Sequence, residues 1–200
     1  MNIKRVVVGF MRTNCYIVFG KEKALLIDPG FDHERIENHL AGYPVEKIIL
    51  THGHLDHYYD MNYFRDKYHP TVYIHRGDQV YLQDFSLRAP EGLLDWMEAR
   101  EYAADVLVGD GDAILFDGMV FQVIHTPGHT PGGICLLCES NLFSGDTLFQ
   151  STVGRTDLPL GDITALSESV HKLVAMDENI RVYPGHGLST TIGREKQYYL

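Results

Sequence analysis

The chain has 200 residues, 44% of them hydrophobic and 22% charged, with a formal net charge of -10; such a chain can bury a core and is not disordered. The acidic balance removes most of the attraction on which nucleic-acid and anionic-membrane binding depend, so neither partner is expected. Three cysteines cannot complete a disulfide framework, and the apolar run 6–11 after Lys4 and Arg5 is too short for a signal peptide or a transmembrane helix, so a cytoplasmic protein is expected.

In chain order, β-type runs at 3–8, 15–19 and 24–27, the last ending at Asp28-Pro29-Gly30, predict an antiparallel meander. A helix over 33–40, with Ile36 and Leu40 on one face, is closed by Gly42 and Pro44 before a buried strand at 47–50. The loop 51–57 then leads into a helix reaching about Tyr68 and a strand at 71–74. Residues 82–104 read as a partly helical surface excursion, its Phe85, Leu93 and Trp96 forming either a cover over a site or ordinary core packing. Strands follow at 114–116, 120–125, 133–138 and 142–143, then a helix over 163–175, a strand at 181–183, a loop at 184–187 and a short terminal helix. Cys135 and Cys138 form a Cys-x-x-Cys, but three residues apart on a strand they face opposite ways, which favours two buried thiols over a redox pair. The order of elements suits two sheets packed face to face with helices outside, as a single domain over 1–200 with no separate C-terminal substrate domain.

Five of the eleven histidines lie in turn-rich segments at strand ends: His52, His54 and His57 together, His129 in Thr126-Pro127-Gly128-His129, and His186 in Pro184-Gly185-His186-Gly187. Imidazole and carboxylate are the ligands of zinc and other borderline first-row metals, and a His-x-His on extended backbone turns both rings to one side. Asp56 and His57 follow where the backbone must turn, so they can face a second position, and paired catalytic metals stand roughly 3.5–4 Å apart. Gly128, Gly185 and Gly187 are expected to take positive φ and aim the two later rings inward, with Asp146 at the end of a strand doing likewise. His33, His39, His69, His75, His125 and His171 fall on predicted helix surfaces, strand edges or helix ends and are assigned no function.

At these residues the chain resembles the metallo-β-lactamase superfamily, whose HxHxDH signature is His52-Gly53-His54-Leu55-Asp56-His57, followed in order by His129, Asp146 and His186. The resemblance implies an α/β, four-layer αββα sandwich with the metal site at one edge of the sheets. It implies two divalent metal ions, zinc with iron or manganese as alternatives. His52, His54 and His129 would hold one, Asp56, His57 and His186 the other, and Asp146 would bridge them. Within the superfamily the segment 154–159, Gly-Arg-Thr-Asp-Leu-Pro, is similar to that of short bacterial proteins like glyoxalase II. β-Lactamases of the main classes carry Cys where Asp146 stands, and quorum-quenching lactonases often carry Tyr shortly after it, where this chain has Thr147-Leu148-Phe149.

The activity so implied is hydrolysis of a small-molecule thioester such as a hydroxyacylglutathione, through a metal-bound hydroxide, with Asp56 in a catalytic role as well as a ligand. Arg155 is expected to recognise a substrate carboxylate, or else to pair with Asp157 or Asp162 and pin its loop. Two other readings stand beside this one: a persulfide dioxygenase with one iron on His52, His129 and Asp146, and a metal-binding module without turnover. The oligomeric state is not legible.

Overall fold

The structure, a computed structural model, describes residues 1–87 and 101–199. A hairpin of β1 (Asn2–Val8) and β2 (Thr13–Phe19) continues into β3 (Ala24–Ile27), the predicted antiparallel meander. Helix α1 (His33–Leu40) crosses to β4 (Val45–Ile49), and α2 (Met61–Tyr68) crosses to β5 (Thr71–His75). α3 (Gln79–Gln83) follows, and β6 (Val106–Val108) closes the sheet in the order β1-β2-β3-β4-β5-β6, parallel from β3 onward.

The second sheet starts with β7 (Ala113–Phe116), β8 (Met119–His125), β9 (Ile134–Cys138) and β10 (Asn141–Gly145), all antiparallel neighbours. A small hairpin of β11 (Leu148–Phe149) and β12 (Thr152–Val153) precedes α4 (Ile163–Val174), which returns the chain to β13 (Arg181–Pro184), parallel to β10. β14 (Thr190–Thr191) and α5 (Ile192–Tyr199) end the described chain.

Alternation along the strands builds three apolar layers between four layers of structure. Tyr16 and Val18 of β2, with Leu25 and Ile27 of β3, meet Phe121, Val123, Leu136 and Phe143 between the sheets. Cys15, Ile17, Ala24 and Leu26 point the other way, against Ile36 and Leu40 of α1 and Met61 and Phe64 of α2. On the far side Cys135, Leu142 and Val182 pack on Leu166, Val170, Leu173 and Val174 of α4. The αββα sandwich expected from the sequence is the fold observed. The two cysteines of Cys-x-x-Cys fall in different layers, Cys135 under α4 and Cys138 between the sheets, both as free thiols.

Differences from the predicted elements have local causes. β6 was not predicted; two of its three residues are exposed, so it lacks the alternation that marks a half-buried strand. β11, β12 and β14, of two residues each, are too short to carry a period. Leu93 and Trp96 of the suggested cover, and the side chain of Phe85, lie outside the described residues.

Candidate metal centre

Every ligand predicted from the sequence sits on a segment that leaves the end of a strand at one edge of the sandwich: 51–57 after β4, His129 after β8, Asp146 after β10 and His186 after β13. His52, His54 and His129 offer atoms within 4.8 Å of one another, and so do Asp56, His57 and His186, while His52, His57 and Asp146 form a third such group linking them. His54 Nδ1 lies 2.8 Å from His129 Nε2, and His57 Nε2 lies 3.3 Å from His186 Nε2. Asp146 stands between the two sets, 3.5 Å from His129 Nε2, 3.5 Å from His186 Nε2 and 3.6 Å from His57 Nε2.

A shell of hydrogen bonds fixes these rings. His129 Nδ1 donates to the backbone carbonyl of Arg155 at 2.7 Å, because a carbonyl can only accept, and this leaves Nε2 turned toward Asp146. Asp28 Oδ2 lies 2.9 Å from His57 Nδ1 and also accepts from Thr51 Oγ1 at 2.7 Å, while Thr51 Oγ1 is 3.1 Å from His52 Nδ1. One carboxylate therefore orients His57 directly and His52 through a hydroxyl, the kind of outer contact that sets ligand direction and basicity in metal sites. Thr13 Oγ1 donates to Asp56 Oδ2 at 2.7 Å. Asp78, buried behind the loops, accepts from Gly53 N, Thr130 Oγ1 and Gly132 N and so ties the 51–57 loop to the one carrying His129.

Close approach explains two of the glycines. A Cβ on Gly185 would overlap Asp146 Oδ1 and come within 2.8 Å of His57 Cε1, and one on Gly154 would overlap the carbonyl of Asp146. Gly128 and Gly187 have the expected positive φ of 134° and 76°, whereas Gly185 is needed for space.

The residues present suit a cation. His52 Nε2, His54 Nε2 and Asp146 Oδ1 are buried with no hydrogen-bond partner among the described residues, which is costly unless something else occupies them. Among the comparisons with known proteins, the metallo-β-lactamase superfamily profile matches residues 8–186. The chain belongs to the metallo-β-lactamase superfamily.

Within that superfamily it is 33% identical to the hydroxyacylglutathione hydrolase GloC of Haemophilus influenzae over 205 residues, covering 98% of this chain and 96% of that one. The solved structure of the BLEG-1 B3 metallo-β-lactamase superposes with a TM-score of 0.89 at 35% identity, covering 98% and 97% of the two chains. That of TTHA1623 in a di-iron-bound form gives a TM-score of 0.78 at 32% identity, covering 96% of each. Such likenesses place this superfamily member among metal-dependent hydrolases.

Electrostatics divide the candidate site in two. Burial, then the neighbouring His57, His129 and His54, holds His52 well below the usual imidazole pKa, and burial with His129 pushes His54 down to about 3, so both present neutral imidazoles. On the other side burial also opposes charge on His57, but Asp56, Asp146 and Asp28 outweigh it and push its pKa up to about 10. His186 is raised against burial by Asp146 and Asp56, so this half of the site favours positive charge.

The side chain of Arg155 does not join this group. Its Nε and an Nη donate to both oxygens of Asp157 at 2.6 Å each, and the side chain is 54% exposed, the pairing that the sequence offered as the alternative role. Its contribution to the site runs through its carbonyl on His129. Asp28, Thr13 and Asp78 were not singled out in the sequence: Asp28 was absorbed into the turn signal Asp-Pro-Gly, and isolated Thr and Asp residues carry no spacing that marks them.

Proposed function

We propose that this protein hydrolyses small-molecule thioesters of the hydroxyacylglutathione type, using two divalent cations. The observation that carries the reading is the position of Asp146, within 3.6 Å of ring nitrogens belonging to both ligand sets. His52, His54 and His129 would hold one cation and Asp56, His57 and His186 the other, with the Asp146 carboxylate lying between the two sets. When bound, such a pair supplies a Lewis acid for the carbonyl oxygen and lowers the pKa of a water to roughly 7.

The chain's own groups do the positioning. Asp28 and Thr51 keep His57 and His52 turned inward, and the Arg155 carbonyl does the same for His129. Asp56, its Oδ2 fixed by the Thr13 hydroxyl, accepts a hydrogen bond from the attacking water and directs its lone pair at the thioester carbonyl. A thiolate leaving group needs little help from an acid.

The test is to assay purified protein on an acylglutathione thioester, a cephalosporin, and glutathione persulfide with an oxygen electrode, before and after chelation and re-addition of zinc, iron or manganese. Thioester hydrolysis that disappears on chelation and returns with metal is expected. Oxygen uptake on the persulfide without thioester turnover would move the assignment to a mononuclear iron dioxygenase, and cephalosporin hydrolysis alone would move it to the activity named for the BLEG-1 relative. Metal binding without any of these turnovers would leave a binding module.

A further inference from the structure

A cleft of about 380 Å³ opens between the tip of the β1–β2 hairpin and the loop after β13, lined by Arg5, Arg12, Asn14, His186 and Leu188 among others. It shares His186 with the candidate metal centre, and its volume lies in the range of small-molecule sites. The chain carries 27 acidic residues against 17 basic ones, yet no acidic residue is among the described residues that line this cleft, while two arginines are.

Backbone contacts fix the two walls that carry those arginines. Asn14 N donates to the Gly185 carbonyl at 2.7 Å, Asn14 Nδ2 donates to the Pro184 and Gly187 carbonyls at 2.8 and 3.0 Å, and Thr13 makes a β-bridge to His186. The hairpin wall and the His186 wall thus form one fixed unit, and Arg12 stands one residue from Thr13, whose hydroxyl binds Asp56. Arg5 is already partly engaged, an Nη donating to the Gly187 carbonyl at 2.7 Å. Arg12 is exposed, makes no side-chain hydrogen bond or ion pair among the described residues, and has φ of 59°, a left-handed conformation that disfavours any residue with a Cβ. Nothing in the fold of the turn asks for arginine there, since glycine would hold the same backbone at lower cost.

We propose that this cleft is the carboxylate-recognition subsite for the non-reacting end of the substrate, with Arg12 as its reader and Arg5 as a supporting charge. A guanidinium grips a carboxylate with two parallel N–H bonds, which explains arginine rather than lysine at a strained position. The proposal rests on the thioesterase reading for its substrate, and assigns the substrate class as thioesters whose thiol portion carries free carboxylates.

The probe is S-methylglutathione, a thioether that cannot be hydrolysed, compared with its dimethyl ester by calorimetric titration into the metal-loaded protein and its Arg12→Ala, Arg12→Lys and Arg12→Gly variants. Wild type should bind the free acid more tightly than the diester, with an affinity that weakens as salt screens the charges. Arg12→Ala should lose about tenfold to a hundredfold of affinity for the free acid, the loss expected for charged hydrogen bonds, and so lose its preference over the diester. Arg12→Lys should recover part of it. Arg12→Gly should raise the melting temperature by relieving the left-handed strain while losing the same affinity, a combination that a merely structural arginine would not give. Equal wild-type affinity for the two probes, an Arg12→Ala variant that keeps its preference, or an Arg12→Gly variant that melts lower would overturn the assignment. Retained preference for the free acid in a wild-type protein that hydrolyses no thioester would support the subsite and remove only the thioesterase reading.

Discussion

Asp28 Oδ2 meets His57 Nδ1 at 2.9 Å, with both side chains buried behind the ligand loop. The same oxygen takes the hydroxyl of Thr51, and Oδ1 takes the Thr51 backbone N–H at 2.8 Å. Asp28 itself has φ of 53°, so the end of β3 is bent into a left-handed turn that carries its carboxylate under the HxHxDH loop. Replacing Asp28 with Asn keeps the shape but removes the charge that holds His57 and, through Thr51, His52. Metal affinity should fall about 10- to 100-fold, as for other outer-shell changes. A competition titration with a chromogenic chelator measures it, and an unchanged affinity would show that Asp28 serves the fold alone.

Gly185→Ala tests the need for close approach. The added methyl overlaps Asp146 Oδ1, so Asp146 or the loop before His186 must move. Metal content should drop while the circular dichroism of the fold persists. Full metal occupancy would show that the loop yields without disturbing the ligands.

Arg155→Ala removes a guanidinium paired with exposed Asp157 but leaves the carbonyl that holds His129. Exposed ion pairs contribute little to stability, so the melting temperature should hardly change. Turnover of charged and neutral thioesters should change alike. A selective loss on the carboxylate-bearing substrate would instead give Arg155 the recognition role first considered for it.

His75 supplies a pH dependence distant from the ligands. Its ring stacks on His125 at 4.1 Å between centroids, and burial, followed by His125 and Arg76, pushes its pKa down to about 4. The unfolded chain takes up this proton at the ordinary value near 6.5, so the folded state binds fewer protons between the two values. The contribution to stability is therefore fully present above about pH 6.5 and is lost as pH falls toward 4. Chelated wild type and His75→Phe, melted across pH 4–8, should diverge in that window, the wild type losing melting temperature faster. Parallel curves would mean that His75 protonates in the folded state without cost.

Much of this architecture was legible because the pattern is strong where burial is two-sided. Runs such as 15–19 and 24–27 fix their strands, and Ile36 with Leu40 fixes the inner face of α1. The candidate ligands stood out because histidines beside glycines at strand ends have no packing explanation, and the structure brings His52, His54, Asp56, His57, His129, Asp146 and His186 together at one edge. What escaped is what spacing does not encode. Asp28 looks like an ordinary turn residue until the fold places it beneath His57, and the carbonyl of Arg155 has no sequence signature at all. Arg12, two residues before Asn14 in a four-residue hairpin loop, gains meaning only once His186 lies across from it.

The proposed two-cation site depends on Asp146. The most direct measurement is metal content per chain by plasma mass spectrometry, on wild type and on Asp146→Ala, each reconstituted with excess zinc and desalted. Close to two equivalents are expected in the wild type and a clear loss in the variant, because two cations would then face each other without a carboxylate between them. Two equivalents retained by the variant, or a single equivalent in the wild type, would contradict it.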